Sequence, residues 1–114
     1  MLICRVGKNY PQGELQKLPE FGIEACLLQT ESNDIRNWAL YEPGGARQFV
    51  NHLSSGSNED LSIAGNEIDE QSLNADGFHV APMPVGRQES VLQRIQSKGV
   101  VSWDPYIYSL SDPA

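Results

Sequence analysis

"LICRVGKNYPQGELQKLPEFGIEACLLQT", residues 2–30, is the stretch that decides the fold. Its two ends, LICRV (2–6) and IEACLLQT (23–30), are aliphatic runs with β-branched residues and read as strands. Gly7 ends the first run. Between the runs, Asn9 stands as an N-cap candidate and Pro11 suits a first helical turn, while Leu15 and Leu18 recur at helical spacing. Pro19 ends or bends that helix, because an interior proline removes a backbone donor and clashes one turn back. Gly22 closes the segment. Strand, short helix and strand in this order make the two strands parallel neighbours joined by a right-handed crossover.

The same order returns near the C-terminus. GFHVAPM (77–83) reads as a parallel-type strand, PVGRQESVLQRIQSKG (84–99) as a helix with Val91, Leu92 and Ile95 on one side and Gly99 as its C-cap, and VVSWDP (100–105) as a strand stopped by Pro105. Between these units lies RNWALYEPGGARQFV (36–50), the centre of an antiparallel hairpin over about 35–53. Closing it over Gly44-Gly45 sets Glu42 opposite Arg47, Leu40 opposite Phe49 and Trp38 opposite Asn51 on one face. The other face pairs Tyr41 with Gln48, Ala39 with Val50 and Asn37 with His52. Arg47 then has two readings, a surface ion pair with Glu42 or a guanidinium held over a ligand. A polar stretch follows, with one short helix near Glu67–Leu73. Alternating strands and helices predict the α/β class: a Rossmann-type parallel sheet with an inserted antiparallel hairpin. An isolated two-stranded ribbon is marginal in water and needs something to lie against. Ligands of open α/β sheets bind beyond the carboxyl ends of the strands, where this ribbon is inserted. It therefore reads as a lid that also packs on a partner.

Composition narrows the function classes. The chain has 114 residues, with 8 Lys and Arg against 15 Asp and Glu, a formal charge of -7 and a pI near 4.6. That balance argues against a nucleic-acid backbone binder and against anionic membrane surfaces. A small anionic substrate is still compatible, since one or two Arg residues suffice for it. Cys4 and Cys26 lie in the two N-terminal strands and read as buried, reduced thiols, with a cross-strand disulfide as the alternative. Neither a signal peptide nor a membrane span is legible, which leads us to expect a cytoplasmic protein. His52 and His79 stand apart without ligand-spaced partners, so no metal site is expected; His52 reads as a surface or cross-strand residue and His79 as a buried, hydrogen-bonded one. The acids Glu59, Asp60, Glu67, Asp69 and Glu70 read as a solvated loop and helix face. No phosphate-binding glycine loop, dinucleotide fingerprint or nucleophile elbow occurs.

Three stretches carry a resemblance. CRVGKNYPQGELQKLPEFGIEACLL, RNWALYEPGGARQFV and ADGFHVAPMPVGRQESVLQRIQSKGVVSWDP together resemble the middle part of the PfkB/ribokinase family of carbohydrate kinases. The resemblance implies a ribokinase-like fold and transfer of the γ-phosphate of ATP, with Mg2+, to a sugar or related alcohol. It makes the hairpin the substrate lid, with Arg36, Trp38 and Arg47 as candidates for substrate or partner contact, and puts Asp104 on the nucleotide side. Each has a plainer reading: Arg36 solvated, Trp38 packed in a core, Arg47 paired with Glu42, Asp104 capping a turn. The family's N-terminal glycine-pair segment and its G-A-G-D segment, with the anion hole and catalytic Asp, match nothing in this sequence. The expectation is a kinase fragment over 1–114, inactive alone and binding neither ATP nor Mg2+ well. The alternative is a non-catalytic α/β interaction module that uses the hairpin to form a homodimer or hold a partner.

Overall fold

The computed structural model describes residues 1–105, and the chain divides into two compact units, Met1–Leu61 and a second beginning at Ser62. In the first unit, β1 (Leu2–Val6) pairs in parallel with β2 (Ala25–Gln29), with Ile3 beside Cys26 and Cys4 beside Leu27. The crossover between them is shorter in helix than the leucine spacing predicts. The helix α1 covers only Gln12–Leu15, followed by a 3-10 turn at Pro19–Phe21 that Gly22 closes with a left-handed φ of 71°. Pro11, not Asn9, is the residue before the helix, and no side chain caps it. The helix stays at one turn because a second proline follows so soon, at Pro19.

β3 (Asn37–Tyr41) and β4 (Arg47–Asn51) form the antiparallel ribbon. Its register differs by one residue from a Gly44-Gly45 closure: Tyr41 faces Arg47, Leu40 faces Gln48, Ala39 faces Phe49 and Trp38 faces Val50. The turn explains this. Gly45 N–H donates to the Glu42 carbonyl at 2.9 Å and Glu42 N–H to the Ala46 carbonyl at 2.9 Å, so Pro43 joins the loop and Gly45 adopts φ 83°. Proline's fixed φ suits the second position of such a turn, and only glycine takes the left-handed third loop position without cost. Because strand faces alternate every residue, the one-residue change exchanges the faces of β4 relative to β3. The first unit ends in a one-turn helix, α2 (Asn58–Leu61).

The second unit repeats the parallel pairing, β5 (Gly77–Val80) beside β6 (Val100–Trp103), with α3 (Val85–Ile95) between them in sequence. β5 stops earlier than its apolar run because Pro82 has no N–H to give a ladder. The α3 helix ends at Ile95 with Gln96 as its C-cap; Gly99 is not its left-handed cap but lies against the Asp76 carbonyl, where a side chain would collide. Val80, Val91 and Ile95 are buried with Ile63, Ile68 and Leu73, which form the apolar core of this unit. The acidic stretch before β5 folds into 3-10 turns at Gly65–Glu67 and Ser72–Asn74 rather than one helix. Two of its carboxylates bond the turns: Glu67 Oε2 accepts from Ala64 N–H at 2.7 Å and Asp69 Oδ1 from Ser72 N–H at 2.7 Å. The Ser72 backbone bond, aided by its hydroxyl, lowers the pKa of Asp69. The chain is thus α/β, with two parallel strand pairs and an antiparallel ribbon, but the four parallel strands make two separate two-stranded sheets among the described residues rather than one ladder.

Candidate functional site

The ribbon carries the densest set of chemically capable side chains in the first unit. Trp38, Leu40, Tyr41 and Phe49 each expose half or more of their surface, so both ribbon faces show apolar area to solvent. Trp38, Leu40, Gln48, Val50 and His52 occupy one face; Asn37, Ala39, Tyr41, Arg47, Phe49 and Asn51 occupy the other. On the first, the Trp38 and His52 rings stack at 4.1 Å between centroids, tilted by 41°. On the second, the Arg47 guanidinium carbon lies 5.5 Å from the centre of the Phe49 ring, a cation–π distance.

The altered register settles where the candidates stand. Arg47 does not oppose Glu42; Glu42 Oε1 accepts instead from Gln48 Nε2 at 3.3 Å. Trp38 is not in a core, since it is 56% exposed. Arg36 is exposed at the ribbon root: its carbonyl accepts from His52 N–H at 2.8 Å and its own N–H donates to Ser55 Oγ at 2.8 Å. Arg36 and Trp38 therefore belong to one face and Arg47 to the other, and one ligand cannot meet all three across the same ribbon surface.

Asp104 lies in the second unit, just past β6, and is exposed. Its backbone is firmly held: its N–H donates to the Val80 carbonyl at 2.9 Å, and its carbonyl accepts from Gln88 Nε2 at 2.6 Å. The same Gln88 amide donates to the Ala81 carbonyl at 3.1 Å, so one buried side chain on α3 ties together the carboxyl ends of β5 and β6. His79 is exposed rather than buried, because its strand turns it away from the core; its Nδ1 lies 2.9 Å from Ser102 Oγ on the adjacent strand. Cys4 and Cys26 are free thiols, partly rather than fully buried because the β1–β2 pair stays partly exposed, and they lie on opposite faces of that pair, offset by one register position. Among the described residues no group of three or more His, Cys, Asp and Glu side chains is placed to hold a metal ion.

Sequence reading misses a set of residues at the root of the ribbon. Asp34 Oδ1 accepts from Gly7 N–H at 2.6 Å, Asp34 N–H donates to Asn9 Oδ1 at 2.8 Å, and the Asp34 carbonyl accepts from Gly56 N–H at 2.9 Å. The local signal is an Asn33-Asp34 pair, a common turn former, but nothing local names partners more than twenty residues away in both directions.

No family model matches the chain, and no curated protein matches it. Among solved structures it is similar to the crystal structure of a fructokinase from Xylella fastidiosa, with a TM-score of 0.65 and 17% sequence identity. The likeness covers 90% of this chain and 34% of the fructokinase, so the chain spans about a third of that protein's length. No helix of the described residues is long and apolar enough to cross a membrane. The resemblance carried by the sequence stretches is therefore met in the fold, which is that of part of a carbohydrate kinase structure.

Proposed function

We propose that the chain is a portion of a PfkB-type carbohydrate kinase domain, contributing the lid ribbon and two strand–helix–strand units, and that it transfers no phosphate by itself. The observation that carries this reading is the fold likeness to a fructokinase over nearly all of this chain and a third of the other. In the complete domain ATP with Mg2+ supplies the phosphoryl group for a sugar or related alcohol, and the ribbon closes over the substrate. The sequence carries no glycine-rich phosphate cradle, so this reading assigns the Mg-ATP site to the rest of the domain. What they offer is lid surface: Arg36 and Trp38 on one side, Arg47 and Tyr41 on the other. Asp104, fixed by its backbone at the carboxyl end of β6, is the residue we assign to the nucleotide side. Calorimetric titration of the 114-residue chain with Mg-ATP tests the proposal. No heat of binding is expected at millimolar nucleotide; clear saturable binding overturns the view that the nucleotide half lies elsewhere.

A second reading has its own support. Apolar side chains exposed on both ribbon faces suit an interaction module whose ribbon binds a second copy. The two readings are compatible, since a lid that covers a site with one face leaves the other for a partner. Sedimentation at increasing concentration decides the second one.

A further inference from the structure

The ribbon must leave the end of β1 at a defined angle if either of its faces is to meet anything reproducibly. Both of its legs converge on one residue, Asp34, through its carboxylate and its backbone. Asp34 precedes β3, and its carboxylate accepts the N–H of Gly7, the buried residue that follows β1, at 2.6 Å. Its own N–H is held by Asn9 Oδ1 at 2.8 Å, which brings in the start of the crossover. Its carbonyl holds Gly56 N–H at 2.9 Å, on the leg that returns from β4. Asn33 adds a bond from Nδ2 to the Ser54 carbonyl at 2.9 Å, and Arg36 N–H reaches Ser55 Oγ at 2.8 Å. Close packing restricts the same place. A methyl group on Gly7 would collide with the backbone of Asp34, and one on Gly56 with the carbonyl of Asn33.

We propose that Asp34 is the pin of the ribbon: it locks outgoing and returning legs to the carboxyl end of β1, so that the ribbon moves as one lever about Gly7 and Gly56. The carboxylate is the central element, because a charge-assisted bond to a backbone N–H is stronger than the neutral bonds around it. This holds whether the ribbon serves as a lid or as a dimerisation surface, and it makes Asp34 a positioning residue rather than a contact residue. The pin is independent of nucleotide binding, so its failure and that of the kinase reading are separable.

Hydrogen exchange on the full chain tests the pin, together with spin-label distances between the ribbon tip at Ala46 and Glu24 before β2. Asp34→Ala is expected to speed exchange at Gly7, Gly56 and Arg36 by on the order of tenfold or more, leaving Leu2 and Thr30 of the β1–β2 ladder unchanged. The tip distance broadens in Asp34→Ala and stays narrow in Asp34→Asn, whose amide oxygen still accepts from Gly7. An equally narrow distance in Asp34→Ala overturns the proposal. Should Asp34→Ala unfold the unit, Asn9→Ala removes only an exposed acceptor: coupled loss of protection at Asp34 and Gly7 supports the pin, and loss at Asp34 alone overturns it.

Discussion

At the scale of single residues, the ribbon shows how much one proline decides. Arg47 is legible as the charge of interest, but its partner is not, because a Gly-Gly pair suggests a two-residue turn and the effect of Pro43 on that turn is conformational rather than compositional. In the observed register Arg47 has Phe49 beneath it and Tyr41 across from it. A double-mutant cycle between Glu42 and Arg47, read by urea unfolding, should give a coupling near zero, within about 0.3 kcal/mol. The cation–π contact predicts that Arg47→Ala alone costs at most about 0.5–1 kcal/mol, since the pair is exposed. Cys4 supplies a pH handle. Partial burial raises its thiol pKa, and the neighbouring Cys26 adds to the effect. The neutral thiol is the form the fold prefers, so this stability is complete below the unfolded thiol pKa, about 8.5, and is lost as pH rises through the higher folded value. Unfolding curves of the native chain and Cys4→Ala should therefore diverge on the alkaline side only, and thiol reagents should reach Cys4 slowly at neutral pH.

At the scale of elements, all six strands of the described residues are legible in the sequence and most helical detail is not. The pattern marks the ends of β1 correctly because Met1 and Gly7 bracket the short, largely apolar run LICRV. It carries β5 three residues too far, since apolar character continues past Pro82, which has no donor, and β6 two residues too far, through the Asp104-Pro105 pair that follows the strand. The crossover helix shrinks to one turn between two prolines, and the acidic stretch breaks into 3-10 turns whose carboxylates bond their own backbone. Of the site, the ribbon is visible and its root is not, because Gly7, Asp34 and Gly56 meet only through tertiary structure. Gln88 is equally silent in the sequence, reading as a polar residue of a helix while serving as the buried clamp on the ends of β5 and β6. Gln88→Ala strands two carbonyls of the strand ends and should cost about 1–3 kcal/mol in urea unfolding. Gln88→Glu, which removes the donors and adds charge, should cost more.

At the scale of the whole molecule, the two units are unequally furnished. Among the described residues the second has six buried apolar side chains, whereas in the first only Val6 is so buried. Apart from Val6, the β1 and β2 residues are partly or well exposed, though parallel strands are ordinarily covered on both faces. An apolar groove of about 490 Å³ runs along the first crossover, lined by Leu15, Leu18, Ile23 and Leu27. Such a surface favours association. Sedimentation velocity should show a weight-average mass that rises with concentration, and the double change Trp38→Lys with Leu40→Lys should return the chain to monomer while leaving the β5–β6 ladder protected from exchange. A native chain that stays monomeric at all concentrations removes the interaction-module reading.

The Pro43-Gly44-Gly45 turn also makes the ribbon a choice between two frames. Gly44-Gly45 can close a tighter, two-residue turn, and what prevents it is that Pro43, which has no N–H, belongs in the loop. Replacing Pro43 with Val should release the second frame. Arg47 would then sit across from Glu42, Phe49 would join Trp38, and His52 would leave the indole it now stacks on. The signature is a Glu42–Arg47 coupling that appears in the Pro43→Val background and is absent from the native one. A single imino acid thus selects which half of β4 shares a face with Trp38 and which shares one with Tyr41, so one substitution is expected to invert the ribbon without changing any other residue on either face.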